Sequence, residues 1–182
     1  MKSIFIIAIV ISSVIKVDAQ KYMTKTGYIG FFSHTTLEDI KADNNQVAGA
    51  LDVSTGEIVF QVLIRSFHFE KALMEEHFNE NYMESDKFPK AVFKGKISDL
   101  KKIDFKKAGI YETVVEGDLT IRDVTKKISV SGAIEVIPDG IGADAKFPLK
   151  PEDFGIKIPN VVRENIARSI EISVSMKFTP VL

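Results

Sequence analysis

The chain of 182 residues contains no cysteine and no tryptophan. Without thiols there is no disulfide framework, no thiolate nucleophile, no iron–sulfur cluster and no cysteine-bound zinc. Histidine is nearly as scarce, with His34, His68 and His77 the three residues present. No two of them stand four apart and no H-E-x-x-H occurs, so no metal and no cofactor is expected, although Glu70, Glu75 and Glu76 lie near two of them. G-x-S-x-G is absent. Ser33 and His34 are neighbours on an expected strand, where successive side chains point to opposite faces, so they do not form a nucleophile–base pair. No catalytic residue is assigned. Neither charge sign dominates, with 24 Lys and Arg against 25 Asp and Glu. This removes the basic surface that a nucleic-acid partner demands.

Long apolar runs are missing too. The stretch Ile4 to Ile15 is about a dozen residues, short of the ~20 that carry a helix across a bilayer. It follows Lys2 and precedes Val17-Asp18-Ala19, which together read as a secretory signal peptide over residues 1–19 with cleavage before Gln20. The remaining residues 20–182 form one domain, large enough for a core without disulfides. The expected location is periplasmic or secreted.

What the chain has in abundance is alternation. Tyr111, Thr113, Val115, Gly117, Leu119 and Ile121 are apolar or small, and the residues between them are mostly charged or polar. Ile128 to Val136 and Ile170 to Phe178 repeat the pattern on even positions. Ile58, Phe60, Val62 and Ile64 share a face, as do Ala91, Phe93, Gly95 and Ile97. Period-two alternation gives strands with one dry and one wet face. Further strands are expected at Tyr28 to His34, Val47 to Val53 and Ile141 to Leu149, with Asp43-Asn44-Asn45 as a turn. Between the third and fourth strands, Leu73, Met74, His77, Phe78, Asn81 and Tyr82 recur at helical spacing. About eight strands with one helical insertion must bury their dry faces against one another, in a sandwich or a closed barrel.

Two segments are distinctive in combination. One runs from Phe67 to Ile97, with the helical stretch Leu73 to Met83, the turn Glu84-Ser85-Asp86, the pair Phe88-Pro89 and then Phe93 in a strand. The other is Gly117-Asp118-Leu119-Thr120-Ile121-Arg122 leading into Val124-Thr125, with Asp123 where a glycine is usual. In these the chain resembles the YceI-like family of exported lipid-binding proteins. The resemblance covers essentially all of residues 20–182. It implies an all-β fold, an antiparallel, eight-stranded, lipocalin-like barrel. It also implies a non-enzymatic function, with a polyisoprenoid-like or other lipid chain in the lumen.

The residues expected to line such a lumen are Phe60, Val62, Phe93, Leu119, Ile121, Ile134, Ile172, Val174 and Met176, all on inward faces. Met74, Phe78, Tyr82 and Met83 are candidates for a lid, methionine being suited to irregular apolar shapes. Arg163 and Arg168 are candidate partners of a polar head. Lys94, Lys96, Lys101, Lys102, Lys106 and Lys107 form a basic cluster diluted by Asp99 and Asp104. It is either a solvated loop or a site of transient contact with an anionic membrane surface. Two alternatives stay open. An eight-stranded barrel can be packed solid, and an integral outer-membrane barrel also alternates, with its apolar face outward.

Overall fold

The computed structural model describes residues 20–181, so the expected signal peptide lies outside the described residues. The strands are β1 (Lys21–His34), β2 (Asp39–Asp52), β3 (Glu57–Leu63), β4 (His68–Phe69), β5 (Lys90–Ile97), β6 (Gly109–Ile121), β7 (Val124–Ile137), β8 (Gly140–Leu149) and β9 (Ile170–Pro180), with helix α1 (Ala72–His77) between β4 and β5. All pairings are antiparallel. Eight strands follow one another around the barrel and β9 pairs with β1 to close it, while the two-residue β4 is attached to the edge of β2. Closure removes the free edges that an open sheet of this size would expose.

Strand direction gives the barrel two unlike ends. At one end lie the short β2–β3 and β7–β8 turns, the loop 98–108 and both termini of the described chain. At the other lie the β1–β2 loop, the whole insertion between β3 and β5, the β6–β7 turn and the segment 150–169. The inward residues read from the alternation are the ones that are buried. Ile58, Val62, Phe93, Ile97, Ile134, Val136, Met176 and Phe178 all belong to the core.

Several element bounds differ from the sequence reading. Asp43-Asn44-Asn45 is not a turn but lies inside β2. There β2 leaves β3, pairs with β4, and the β1–β2 register shifts. The fully buried Asn44 replaces the missing ladder bonds with its side chain. Its Nδ2 donates to the Leu63 carbonyl at 2.9 Å, and its Oδ1 accepts from the Gln46 amide at 2.8 Å. β1 and β2 both start earlier than expected. β3 stops at Leu63, where a 3-10 turn, Ile64–Ser66, carries the chain into the insertion. The helical pattern becomes the six-residue α1 and then a wide π-type turn, Phe78–Tyr82. In the β6–β7 turn the positive φ, 56°, falls on Arg122, the residue before Asp123.

Candidate functional site

The half of the barrel beneath the β2–β3 turn is filled. Val47, Leu51, Ile97, Val136, Ile141, Met176 and Phe178 meet there, and Ile103 from the adjoining loop closes the end. Small residues on the inner wall make room for large ones. A Cβ on Gly27 would lie 2.1 Å from the Met176 sulfur, and one on Gly49 about 3 Å from the Phe60 and Phe178 rings. Phe60 stacks on Phe93 at 6.1 Å and on Phe178 at 6.2 Å between ring centroids. This aromatic layer separates the filled half from what lies beyond it.

Beyond it is a cavity of about 510 Å³, within the range of small-molecule sites. Its walls are inward residues of middling size, among them Val62, Val115, Leu119, Ile121, Val130, Ala143, Ala145 and Val174, which stop short of the barrel axis. Its roof is a cluster of four phenylalanines. Phe31 comes from β1, and Phe67, Phe69 and Phe78 come from the insertion, with ring centroids 5.1–5.7 Å apart. Tilted and edge-on geometries of this kind add to the burial of the rings. Met74, Tyr82 and Met83 extend the roof, and Ile156, Ile158, Val162 and Ile166 bring in the segment 150–169.

The structure therefore brings together eight of the nine residues expected to line a lumen: Phe60, Val62, Phe93, Leu119, Ile121, Ile134, Ile172 and Val174. Met176 is not among them. It shares their face of β9 but sits deeper, packed over Gly27 in the filled half. The lid candidates Met74, Phe78 and Tyr82 all line the cavity. Burial raises the Tyr82 phenol above its ordinary pKa, so it stays a neutral roof residue at physiological pH.

The head-group candidates do not reach the cavity. Arg163 donates to the Ile166 carbonyl at 3.0 Å, which holds its own loop, and Arg168 is exposed. The polar residues at the mouth are Glu38, Lys71, His77 and Asn165. Lys71 Nζ lies 3.0 Å from Glu38 Oε1, and Asn165 Nδ2 donates to Glu38 Oε2 at 3.1 Å. One carboxylate thus joins the β1–β2 loop, the start of the lid and the segment 150–169. The Lys71 ammonium, helped by the Asn165 amide, holds the Glu38 carboxyl below the usual carboxylate range.

On the far side of the insertion, Arg122 forms the firmer attachment. Its Nη2 bonds Glu84, its Nη1 donates to the Gly155 carbonyl at 3.3 Å, and its guanidinium lies 5.3 Å above the Phe88 ring. Glu84 and Arg122 are the two non-glycine residues with positive φ among the described residues, and they are bonded to each other. Such backbone costs about 1–2 kcal/mol per residue, and the contacts of Arg122 offset part of it. The Glu84-Ser85-Asp86 turn, Phe88 and the Arg122 turn, singled out in the sequence as separate segments, form this one joint.

The remaining candidates lead elsewhere. The basic cluster lies on the outer face of β5 and in the loop 98–108, at the filled end away from the mouth. His34 pairs with Asp39 at 2.5 Å and His68 approaches Glu75 at 3.6 Å. No three metal-ligating side chains converge among the described residues. The buried Ser33 hydroxyl accepts from the Ala167 amide at 2.9 Å and turns away from the exposed His34.

Sequence reasoning missed Phe31, Phe67, Phe69 and the apolar residues of 150–169. Phe67 and Phe69 flank His68 at strand spacing, which was a usable signal. The residues after Pro151 carry no period at all, because they follow the rim in an irregular path.

The model of the YceI-like domain family matches residues 16–178. No curated protein matches the chain in sequence. Among solved structures, a polyisoprenoid-binding domain from Saccharophagus degradans implicated in plant cell wall breakdown superposes with a TM-score of 0.77 at 11% identity. That alignment covers 90% of this chain and 100% of that one. BcnA of Burkholderia cenocepacia superposes at 0.70 with 14% identity, over 84% and 96% of the two chains. The YceI protein of Campylobacter jejuni superposes at 0.65 with 17% identity, over 82% and 90%. At these identities the likeness is one of fold.

Proposed function

The chain belongs to the YceI-like family, and from that premise we propose that it is an exported, non-enzymatic protein that holds a long apolar chain, isoprenoid-like or another lipid, in the hollow half of its barrel. The observation that carries this is the cavity itself, large, walled by aliphatic side chains and roofed by four phenylalanines. Apart from the buried Thr113 hydroxyl, such walls offer little to orient a polar substrate, whereas a hydrocarbon chain gains roughly 0.8 kcal/mol for each methylene it buries. The naming of the Saccharophagus domain as polyisoprenoid-binding supports the same ligand class. The signal-like residues 1–19 support export.

The outer-membrane alternative requires an apolar belt outside the barrel. Here the outward faces carry Lys94, Lys96, Glu112, Glu116, Asp118, Glu135, Glu171 and Lys177, all exposed. The solid-core alternative describes one half of the barrel and not the other.

The deciding experiment is organic extraction of protein purified from its native compartment, followed by mass spectrometry. Recovery of a stoichiometric apolar lipid is expected. Stripped protein should then bind a fluorescent polyene probe, and the extracted lipid should compete for it. A protein that yields no lipid and binds no probe would overturn the reading.

A further inference from the structure

We propose that the open end of the barrel is a membrane-docking surface, which seats the mouth on a phospholipid bilayer so that the apolar chain passes between bilayer and lumen. This deepens the binding reading and rests on it. Three separate segments surround the mouth, and each presents one large apolar side chain to solvent. Leu37 in the β1–β2 loop is 62% exposed, Leu73 on α1 is 60% exposed, and Val161 in the Asn160–Val162 turn is 90% exposed. Single exposed apolar residues are ordinary. Three of them on independent loops around the opening of one large apolar cavity are a patch with a location.

The tips are continuous with the lumen. Leu73 lines the cavity while reaching solvent, Glu38 beside Leu37 lines it, and so does Val162 beside Val161. The lining therefore runs outward onto the docking residues, and a chain leaving the lumen emerges among them. Continuity matters because a chain that crosses water loses about fourfold in equilibrium for each methylene it wets. Docking removes that step.

Charge identifies the kind of bilayer. On the lid Glu70, Glu75 and Glu76 outnumber Lys71, and Glu164 offsets Arg163 beside the third tip. The basic cluster is at the other end of the barrel. Shallow apolar insertion, not attraction to anionic lipid, drives the contact, so a zwitterionic bilayer is sufficient.

The absence of tryptophan provides the test, since any tryptophan introduced is the only indole in the protein. Leu37→Trp, Leu73→Trp and Val161→Trp are compared with Ile110→Trp, which replaces a residue 69% exposed at the closed end. With phosphatidylcholine vesicles, the first three should show a blue-shifted emission that brominated lipid quenches, and the fourth should not change. Co-sedimentation of a Leu37→Ser, Val161→Ser double variant, shown folded by circular dichroism, should fall about tenfold against the unsubstituted protein. Adding phosphatidylglycerol should leave binding unchanged or weaken it. An equal response at position 110, a requirement for anionic lipid, or no response at any tip would overturn the proposal, the last leaving the tips to a protein partner. Probe binding measured without vesicles reports on the lumen alone, so loss of docking with probe binding intact sinks this inference and not the binding reading.

Discussion

The two halves of the barrel share the same eight strands and the same apolar vocabulary, yet one is filled and the other hollow. Strand number does not separate them, because a barrel of this size is wide enough for either outcome. Side-chain size on the inner wall does. In the filled half, long or aromatic residues lie over small ones on nearby strands, Met176 over Gly27 and the Phe60 and Phe178 rings over Gly49. In the hollow half the wall is mostly Val, Ile, Leu and Ala, with Phe147 the one large ring set into it, and the other aromatics stand above and below the void. A cavity in a closed barrel is thus made by withholding a few large residues.

The largest test of that contrast is deletion of a ring from each half. Phe178→Ala removes a fully buried side chain from among packed neighbours and should cost about 3–5 kcal/mol in denaturant unfolding. Phe147→Ala, on the cavity wall, should cost clearly less, because the ring has no packed atoms on its lumen side. Equal losses would mean that the void is closed in solution.

The second test reverses the change in size. Val136→Phe adds a ring to the filled half and should destabilise by about 1–3 kcal/mol through overpacking. Val174→Phe points the same ring into the void. It should leave the melting temperature unchanged or raised, as cavity-filling changes do, while reducing the capacity for the apolar probe. A melting temperature lowered equally by both would contradict the hollow half.

A third test concerns how the lid is held. Arg122→Ala removes the joint to Glu84, Gly155 and Phe88 while leaving positive φ in place. Its net cost should be about 1 kcal/mol, since the lost charged hydrogen bonds outweigh any gain. Arg122→Gly loses the same bonds but relieves the backbone, and should be the milder of the two. In both variants, amide hydrogen exchange should quicken across Met74–Met83 and not across β7 or β8. Unchanged exchange on the lid would assign its attachment to the phenylalanine cluster instead.

The inward faces of β3, β5, β6, β7 and β9 were legible because strand alternation depends only on the period of two, and burial on one side enforces it. The same rule selected eight residues that the closed barrel brings to the wall of one cavity. It failed for Met176 because periodicity says which face a residue occupies, not how far along the axis it sits. Depth depends on the stagger between strands and on what stands opposite, here Gly27, which no local pattern reports. The turn expected at Asp43-Asn44-Asn45 failed for a related reason. Asn and Asp favour turns by bonding nearby backbone, and Asn44 does bond nearby backbone, but across a register shift inside a strand. The mouth was the least legible part. Glu38, Lys71 and Asn165 are far apart in sequence, and only the closure of the barrel brings one carboxylate to both partners.

The smallest effect separates the two ends by pH. Each end carries a carboxyl held below its ordinary range, Glu38 at the mouth by Lys71 and Asn165, and Asp52 at the closed end by Ser54. For both, the folded pKa lies below the unfolded one. The contribution of each contact is therefore present above the ordinary carboxylate pKa and is lost as pH falls through the lower folded value. Both groups are at the surface, where salt screens such contacts, so neither should visibly move the thermal transition. The mouth should respond all the same, because protonating Glu38 frees the β1–β2 loop, the start of the lid and the segment 150–169 from one another. Release of a bound apolar probe should be flat from neutral pH down to the ordinary carboxylate range and accelerate below it. Glu38→Gln should show the faster release throughout, with the acid acceleration gone. Asp52→Asn should release like the unsubstituted protein at every pH. If Glu38→Gln releases at the unsubstituted rate, or if Asp52→Asn matches Glu38→Gln, the mouth is not held at that carboxylate and the asymmetry of the ends lies in packing alone.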